Sequence, residues 1–264
     1  MTYRITALVP AKNEEQNIDR CIKSLIDWCD RVVLIDMGST DRTASIAQKL
    51  GATVVAWHKD IDKPFIAIQK AINAQASNTK TEWVLRIDAD EVVTEPLQKE
   101  IALILQQGKD APYKAYGVPR SQYFWGGFLK GGDWAFDRLV RLYQPSIAYY
   151  SETSEVHEQL TVRGNIGYLK HPLLHYSHPT LRVAVQKFNH YTDIEAQTVS
   201  VSTMRAVWNM LALPPYIFLR WILWHHGWRD GLRGIVAGAL RAWYEFMVWS
   251  KYLGHLYAKQ SHKK

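Results

Sequence analysis

Residues 83–91 read WVLRIDADE, an apolar stretch that ends at two aspartates separated by one alanine. Short apolar runs bounded by turn residues are typical of buried strands. An Asp-Ala-Asp turn directly after a strand brings both carboxylates into one loop, where they repel each other unless a cation neutralises them. We therefore expect a strand over residues 83–87 and a divalent cation, Mg²⁺ or Mn²⁺, held by Asp88 and Asp90.

Alternating strand and helix patterns precede this turn. Apolar runs at residues 5–9, 31–35 and 53–56 predict strands, and periodic apolar positions predict helices over 14–28, from Thr40 to Leu50 and from Pro64 to about residue 76. Such alternation predicts an α/β fold with a mostly parallel sheet flanked by helices. Parallel sheets bind ligands at the carboxyl ends of their strands. Residues 10–13, 36–39 and 88–90 should therefore converge on one site.

The second half of the chain has a different pattern. Residues 113–178 combine Gly-rich and aromatic stretches with strand-like pieces, and the pattern is helical from Val183 onward. We expect a catalytic domain over residues 1–180, with a nucleotide-binding half (1–95) and an acceptor-side half (96–180). A helical extension should cover residues 181–264.

The net charge of +7 comes entirely from the end of the chain. Residues 1–197 hold 23 basic and 23 acidic side chains, whereas residues 198–264 hold nine basic and two acidic ones. This asymmetry predicts an anionic partner, either nucleic acid or an anionic membrane surface. The longest uncharged run, residues 206–219, contains Pro214-Pro215 and is shorter than the roughly 20 residues that a membrane span needs.

A basic amphipathic helix is predicted from Arg229 onward. A helical wheel places basic residues on one side and the following apolar residues on the other: Leu232, Ile235, Val236, Ala239, Trp243, Phe246 and Leu253. A helix of this kind fits an anionic membrane interface. The alternative is that the apolar stripe packs on the catalytic domain.

Cysteine use and the N-terminus favour a cytoplasmic protein. Cys21 and Cys29 are the only cysteines, and their spacing fits neither a disulfide framework nor a CxxC motif. The sequence begins on a strand pattern rather than on the basic and apolar segments of a secretory signal. With the basic tail, these features predict a peripheral protein on the inner face of the cytoplasmic membrane.

Other polar residues near the predicted strand ends suit a nucleotide. Asp36 can accept a hydrogen bond from a base or a ribose hydroxyl, although it can equally cap the following helix. Lys12, Arg42 and Lys70 could each neutralise phosphate, although lone basic residues are more often surface groups. The histidines at 171, 175 and 178 have a spacing that suggests zinc, but the intervening Pro172 and strand-like Leu173-Leu174 favour structural roles.

Three stretches together resemble glycosyltransferase family 2, whose domain has the GT-A (Rossmann-like) fold. They are LVPAKNEEQNIDRCIKSL (8–25), VVLIDMGSTDRT (32–43) and WVLRIDADEVV (83–93). Further on, YFWGGFLKGGDWAFDRLVRLY (123–143), VHEQL (156–160) and LLHYSH (173–178) resemble the bacterial lipopolysaccharide core β-glucosyltransferases. The chain departs from the family at Met37, where many members have an acidic residue or serine.

The resemblance implies a role for several residues. A nucleotide-sugar donor would lie against Pro10, Ala11, Asn13 and Glu14, with Asp36 at the base. Asp88 and Asp90 would hold the metal and the ribose-diphosphate, and His157 is the favoured further metal ligand.

The resemblance also implies the type of reaction. Family 2 enzymes invert the anomeric carbon, so a base must deprotonate the acceptor hydroxyl. Asp137 and Glu158 are the candidates, with a slight preference for Glu158. The acceptor would be a cell-envelope glycolipid, a lipid-linked saccharide or a polysaccharide of the lipopolysaccharide core type.

Two other functions are compatible with parts of the pattern. A sugar-nucleotide nucleotidyltransferase also uses an α/β sheet and a metal, but it usually has a Gly-rich basic loop after the first strand, which residues 10–13 do not resemble. A nucleic-acid-binding protein could use the basic tail. Its basic residues would then form a solvated cluster, whereas here they alternate with Trp and Leu at amphipathic spacing, so we expect no nucleic-acid partner.

Overall fold

A computed structural model describes residues 5–60, 63–151 and 160–261 of the chain. The chain divides into two compact units. The first unit comprises residues up to Arg120 together with Arg138–Tyr176, and the second comprises Ser121–Asp137 together with the chain from Ser177 onward. The domain boundary that the sequence suggests at residue 180 stays a prediction.

Strands and helices alternate in the first third of the chain, as the sequence predicts. The described strands are β1 (Ile5–Ala11), β2 (Arg31–Asp36), β3 (Thr53–Ala56), β4 (Trp83–Arg86), β5 (Glu91–Val93), β6 (Ala115–Phe124), β7 (Gly127–Phe128), β8 (Arg138–Tyr143), β9 (Ala148–Tyr150), β10 (Leu160–Val162), β11 (Gly167–Tyr168) and β12 (Leu173–His178). The described α-helices are α1 (Ile18–Lys23), α2 (Thr43–Lys49), α3 (Pro64–Ser77), α4 (Glu95–Gln107), α5 (Leu181–Thr198), α6 (Thr203–Leu219) and α7 (Gly231–Ser261).

The main sheet has the strand order β3-β2-β1-β4-β8-β6-β12-β5. Strands β3, β2, β1 and β4 are mutually parallel, which confirms the predicted parallel arrangement of the N-terminal strands. From β4 onward the sheet is mixed, because β8 pairs antiparallel with both β4 and β6. The strand order reverses at β1, since β2 and β3 lie on one side of it and β4 on the other. Ligands of open α/β sheets bind at such a reversal.

Burial explains why the first strands are nearly continuous apolar runs. All seven residues of β1 are buried, and so are the four residues of β4. Helices cover both faces, because alternate residues of β1 and β2 belong to two different clusters of buried side chains. Helix α1 is shorter than predicted: regular α-helix covers Ile18–Lys23, and the chain continues in turns up to Trp28.

The second unit is built mainly from α5, α6 and α7 and from the Gly-rich aromatic stretch before Asp137. Trp221 is fully buried at its centre, in a cluster with Phe124 and Leu129. Gly132 has a positive φ of 80°, and a Cβ at this position would lie 2.2 Å from the Trp221 ring. The GGDW stretch therefore has a packing role that its residue types alone did not indicate.

Helix α6 continues through Pro214 and Pro215 and passes into a π-helical turn, Arg220–Trp224. By length and composition alone, the 22 residues Thr203–Trp224 could cross a membrane, since an 18-residue window within them has a mean hydropathy of 1.2. The sequence-based expectation that the prolines break this segment is therefore wrong. Both prolines are accommodated within the helix. Only 22% of that 18-residue window is buried in the folded chain.

Candidate active site

A pocket of about 290 Å³ lies at the carboxyl ends of β1, β2 and β4, where the sequence predicts a ligand site. Residues of the predicted loops 10–13 and 88–90 line it, together with one residue, Met37, of the loop 36–39. Its lining residues are Pro10, Ala11, Lys12, Glu14, Met37, Pro64, Ala67, Ile68, Asp88, Ala89 and Asp90.

Side-chain hydrogen bonds join the loop after β1 to the loop after β2. The Asn13 side-chain oxygen accepts from the backbone N–H of Thr40 at 2.8 Å, and the backbone N–H of Asn13 donates to Ser39 Oγ at 3.1 Å. The backbone N–H of Glu14 donates to Thr43 Oγ1 at 2.7 Å. Asn13 has a left-handed backbone conformation, with φ of 57°, which asparagine tolerates better than most residues. These contacts fix one wall of the pocket.

Asp36 ends β2 and closes the turn that follows it. Its Oδ1 accepts from the backbone N–H of Ser39 at 3.0 Å, within the turn. It does not cap the following helix, because α2 begins at Thr43 and has no side-chain hydrogen bond at its N-cap. The next residue, Met37, is buried and supplies the apolar wall of the pocket. An apolar wall of this kind suits a nucleobase better than a phosphate.

Asp88 is held by two buried arginines. Its carboxylate accepts hydrogen bonds from Arg141 and, at 3.2 Å, from Arg86 Nη2. Arg141 also donates to the fully buried Glu91 at 2.9 Å, and Arg120 lies 3.4 Å from the same carboxylate oxygen. The Glu91 carboxylate in turn accepts from the backbone N–H of Asp88 at 2.9 Å. An ion-pair network thus holds the turn at residues 88–91 in place.

The arginines determine the ionisation of Asp88. Burial by itself would raise the pKa of this carboxyl, but Arg141 and then Arg86 hold the pKa well below its usual range. The pKa of Arg141 is raised in return: burial opposes its charge, but Asp88 and Glu91 outweigh burial. Asp88 is therefore a carboxylate at any physiological pH and can bind a cation or a ribose hydroxyl without first losing a proton.

Asp90 lies beside a histidine that the sequence did not select. His175 Nε2 is 3.3 Å from Asp90 Oδ2, and both side chains are mostly buried. The antiparallel pairing of β5 with β12 causes this contact, because it sets Glu91 opposite His175. The backbone N–H of Tyr176 also donates to the carbonyl of Asp90 at 2.9 Å.

The donor set at this turn fits a divalent metal. Two ligands of one ion about 2.1 Å from each lie roughly 3 Å apart, which is close to the Asp90–His175 separation. Carboxylate oxygen and imidazole nitrogen together suit Mn²⁺ or a similar ion. Within the described ranges, no cluster of three or more His, Cys, Asp or Glu side chains has metal-binding geometry. Asp90 and His175 would thus hold the ion together with ligand oxygens, and the role of Asp88 as a further metal ligand stays a prediction.

The remaining predicted residues lie elsewhere. Lys70 is on α3 and forms an ion pair with Asp60 at 2.9 Å, and it does not line the pocket. Asp137 belongs to the second unit, where Gln122 Nε2 lies 3.4 Å from its carboxylate. His157 and Glu158 lie outside the described residues. Their proposed roles as metal ligand and base stay predictions.

The three histidines of the 171–178 stretch have three different surroundings. His171 Nδ1 is 2.9 Å from Glu100, and the ring of His178 stacks on Trp134 with centroids 5.3 Å apart. His175 differs from both in that its partner is Asp90. The zinc-like spacing therefore does not correspond to a shared site among these residues.

Arg86 and Arg141 are site residues that the sequence analysis missed, although a signal was available. Each is the one charged residue within a five-residue apolar stretch, WVLRI (83–87) for Arg86 and LVRLY (139–143) for Arg141. A charge inside a buried strand needs a buried counter-charge. The acidic turn at residues 88–91 is an obvious source of one.

Comparisons with known proteins agree with this geometry. The family model "Glycosyl transferase family 2" matches residues 6–130. An uncharacterized glycosyltransferase of Rickettsia conorii is 30% identical over 205 residues, which cover 75% of this chain and 71% of that protein. The lipopolysaccharide core biosynthesis glycosyltransferase LpsC of Rhizobium meliloti is 26% identical over 250 residues, 94% of this chain and 91% of its own length.

A solved structure extends the agreement to the fold. Residues 1–349 of S. aureus TarS superpose with a TM-score of 0.50 at 16% identity, covering 95% of this chain and 91% of that one. This likeness concerns the fold alone. The predicted fold class, GT-A with a C-terminal helical extension, is confirmed, and so is the prediction of a glycosyltransferase. The chain belongs to glycosyltransferase family 2.

Proposed function

We propose that this glycosyltransferase moves a sugar from a nucleotide-sugar donor to a cell-envelope glycolipid or polysaccharide of the lipopolysaccharide core type, with inversion at the anomeric carbon. The observation that supports the donor site most strongly is the pocket of about 290 Å³ between the loop after β1 and the Asp88–Asp90 turn. Its lining includes the apolar side chain of Met37 and the carboxylates of Asp88 and Asp90, which suit a nucleobase and the metal of a nucleoside diphosphate.

Different residues of the pocket would contact the base, the ribose and the diphosphate of the donor. Pro10, Ala11 and Met37 offer apolar contacts for the base. Asp88, held in its charged form by Arg141 and Arg86, would accept from a ribose hydroxyl or bind the ion. A divalent ion at Asp90 and His175 would supply charge neutralisation for the departing diphosphate.

The acceptor side requires a base. As the acceptor oxygen attacks the anomeric carbon, its proton passes to a carboxylate and the bond to the nucleoside diphosphate breaks. Asp137 and Glu158 remain the two candidates for this base. Asp137→Asn and Glu158→Gln should differ sharply in turnover while both still bind donor, and equal mild losses would exclude both.

Donor cleavage across a panel of nucleotide sugars tests the proposal. The full chain should hydrolyse one donor slowly in Mn²⁺ and should lose this activity in EDTA. Hydrolysis that is equally fast in EDTA would contradict the metal-dependent site. No cleavage or binding of any nucleotide sugar would contradict the donor class.

We further propose that the protein acts at an anionic membrane surface, where a lipid-linked acceptor would be found. The support is a row of exposed apolar side chains at helical spacing on α6 and the π-helical turn that follows it: Met204, Trp208, Leu211, Leu219 and Leu223. Arg205 and Arg220 lie on the same helical segment. Exposed apolar and basic residues on one helix fit an anionic interface. The name of the LpsC relative supports the lipopolysaccharide core as the acceptor type.

The apolar residues predicted to share one side of α7 differ in burial in the folded chain. Leu232, Ile235 and Phe246 are exposed, but Leu253 is buried and Val236 packs against the Trp221 cluster. Some apolar residues of α7 thus pack inside the protein, and others are exposed and free to contact a membrane. The more continuous exposed stripe is on α6.

Liposome sedimentation with two matched leucine variants tests the membrane proposal. Leu211 on α6 and Leu103 on α4 are 63% and 61% exposed. Leu211→Ser should lower partitioning into anionic vesicles about tenfold, since burial of a leucine is worth about 1.5–3 kcal/mol, and Leu103→Ser should not change it. Equal partitioning of the two variants, or no sedimentation of the wild type at low salt, would contradict membrane binding through α6.

A further inference from the structure

A carboxylate, a guanidinium and an imidazole meet at one place in the second unit. Asp133 Oδ1 lies 2.5 Å from His225 Nδ1, and Asp133 Oδ2 accepts a hydrogen bond from Arg220. The three side chains are between 16% and 32% exposed, so solvent reaches this cluster. None of the three lines the donor pocket.

Two short helical segments bring the cluster together. The first and last residues of the 3₁₀-helix Asp133–Phe136 lie on one side of it, because residues three apart are eclipsed in this kind of helix. Both of them contact His225. After the π-helical turn Arg220–Trp224, the backbone N–H of His225 donates to the carbonyl of Arg220 at 3.0 Å. This five-residue step brings the guanidinium and the imidazole to the same carboxylate.

Other contacts already join these two segments. The backbone N–H of Gly132 donates to the carbonyl of His225 at 2.8 Å. The backbone N–H groups of Lys130 and Gly131 donate to the Asp230 carboxylate at 3.0 and 2.9 Å. The side-chain cluster is therefore not the only connection that holds the segments in place, and a role in binding is open to it.

The imidazole of His225 has one nitrogen paired and the other available. A carboxylate only accepts hydrogen bonds, so Asp133 keeps the proton of the neutral ring on Nδ1 and leaves the lone pair on Nε2. Among the residues that the structure describes, Nε2 has no hydrogen-bond partner, and it is not a buried atom. The Asp133–His225 pair thus presents one oriented polar atom to a ligand that arrives from solvent.

An exposed aromatic ring lies beside this imidazole. The ring centroids of Phe136 and His225 are 4.8 Å apart, and Phe136 is 61% exposed. Most of the phenyl surface is therefore available for contact with a ligand. An oriented polar atom next to an aromatic ring suits a sugar, which has hydroxyl groups at its rim and an apolar face of C–H groups. An anion suits the cluster less well, because the charge of Arg220 is already matched by Asp133.

We propose that Asp133, Phe136 and His225 bind a neutral sugar ring of the acceptor. The C–H face of the sugar would stack on Phe136, one hydroxyl would pair with His225 Nε2, and Asp133 would orient the imidazole. This inference rests on the proposed function, since it assigns the cluster to the acceptor of the same transfer reaction.

The position of the cluster fits an acceptor that is carried on a lipid. Leu223 and Trp224 directly precede His225 and are 57% and 68% exposed, so the cluster adjoins the apolar row that is proposed to contact the membrane. The sugar of a glycolipid would thus be held next to the surface that binds its membrane.

Saturation-transfer difference NMR of the full chain with methyl glycosides of glucose, galactose, mannose and N-acetylglucosamine tests the proposal, because this method detects weak binding. His225→Asn deletes Nε2 but keeps a side-chain N–H that can donate to Asp133, and Phe136→Ala removes the ring. The controls are His226→Asn and Phe246→Ala, which change an exposed histidine and an exposed phenylalanine of the same unit outside the cluster.

At least one glycoside should bind the wild type, and His225→Asn and Phe136→Ala should each weaken that binding at least about fivefold, through the lost hydrogen bond and the lost stacking. Both control variants should bind as the wild type does. In the wild type, the Hε1 resonance of His225 should move during the titration and that of His226 should not, a result that depends on no variant. The proposal is overturned if no glycoside binds, if the site variants match their controls, or if the His225 resonance stays in place.

A nucleoside diphosphate with Mn²⁺, added to the same samples, separates this proposal from the proposed function. Its affinity should be the same in the wild type and in both site variants. A loss of this affinity in His225→Asn would assign the cluster to the donor and overturn the acceptor role. Failure of the wild type to bind any nucleoside diphosphate would contradict the proposed function, and the glycoside data would then decide by themselves whether the cluster binds a sugar.

Discussion

At the scale of single residues, the charges of Arg86, Arg141, Asp88 and Glu91 decide how the acidic turn is held. The two arginines come from neighbouring antiparallel strands, β4 and β8, and meet the carboxylates of the turn that follows β4. Arg141 contacts both carboxylates and is only 1% exposed. Its removal would leave two carboxylates short of a buried counter-charge.

Arg141→Met should therefore destabilise the chain strongly. Breaking a buried ion pair by removing one partner typically costs about 3–5 kcal/mol, because the remaining charge stays buried. Chemical denaturation in EDTA would measure the change in the free energy of unfolding. Arg163→Met, which alters an exposed arginine, is the control and should change it by less than about 0.5 kcal/mol. A similar small change for both variants would show that the network contributes little.

The proposed role of His175 as a metal ligand can be tested through the Mn²⁺ dependence of donor cleavage, without a measurement of stability. If it holds the ion with Asp90, His175→Asn should raise the Mn²⁺ concentration for half-maximal donor cleavage at least about tenfold. His171→Asn is the matched control, because His171 contacts Glu100 rather than Asp90. The metal ligand assignment would be wrong if both variants showed the Mn²⁺ dependence of the wild type.

At the scale of elements, α4 positions the strand that carries His175. The Glu100 carboxylate accepts from the backbone N–H groups of Lys170 and His171 at 2.9 and 3.0 Å, just before β12. Burial by itself would raise the pKa of Glu100, but these hydrogen bonds, together with the His171 ring, lower it below its usual value. The ionised carboxylate thus helps to set where β12 begins.

Glu100→Gln should reveal this contribution through its pH dependence. Because the folded-state pKa of Glu100 is lowered, its stabilisation is present above the unfolded value of about 4.3 and is lost as the pH falls through the folded value. The variant should be about 1–2 kcal/mol less stable at neutral pH, and the difference should shrink below about pH 4. Denaturation midpoints across pH 3–7 would measure it. Glu95→Gln, on the exposed face of the same helix, should show no comparable difference. A pH-independent Glu100→Gln difference would contradict this account.

In the second unit, the GGDW stretch depends on the absence of a side chain at Gly132. Gly132→Ala should destabilise this unit by about 2 kcal/mol or more, because the new Cβ meets a fully buried tryptophan at a positive φ. Gly254→Ala is the control on α7, where a Cβ would meet nothing within 4 Å and alanine favours the helix. Thermal denaturation should move in opposite directions for the two variants, and equal midpoints would refute the packing argument.

The sequence predicted best where local pattern and burial coincide. The first four strands and the convergence of the loops after β1 and β4 follow from apolar runs and turn residues that a parallel sheet requires. The His175–Asp90 contact could not be predicted, since it depends on the antiparallel register of two short strands distant in sequence. Proline statistics were also misleading at Pro214-Pro215, where the helix continues. The pairing of Arg86 and Arg141 with the acidic turn could have been predicted, because each arginine lies between apolar residues of a predicted strand.

At the scale of the whole molecule, the candidate donor pocket and the exposed apolar stripe belong to different units of the chain. The first unit contains the donor pocket, and the second contains the exposed apolar stripe and the basic excess. Under the proposed function, the first unit would hold the donor, and the exposed stripe of the second unit would contact the membrane that carries the acceptor.

The central claim is that a divalent ion at the Asp88–Asp90 turn supports donor binding, and calorimetry with a panel of nucleoside diphosphates tests it most directly. The wild type should bind one of them in Mn²⁺ and lose that binding in EDTA. Asp90→Asn should weaken the Mn²⁺-supported affinity about 100-fold, equivalent to about 2.7 kcal/mol, whereas Asp19→Asn, at an exposed ion pair with Lys23, should not change it. Binding that is as tight in EDTA as in Mn²⁺, or an Asp90→Asn variant that matches the wild type, would contradict the account.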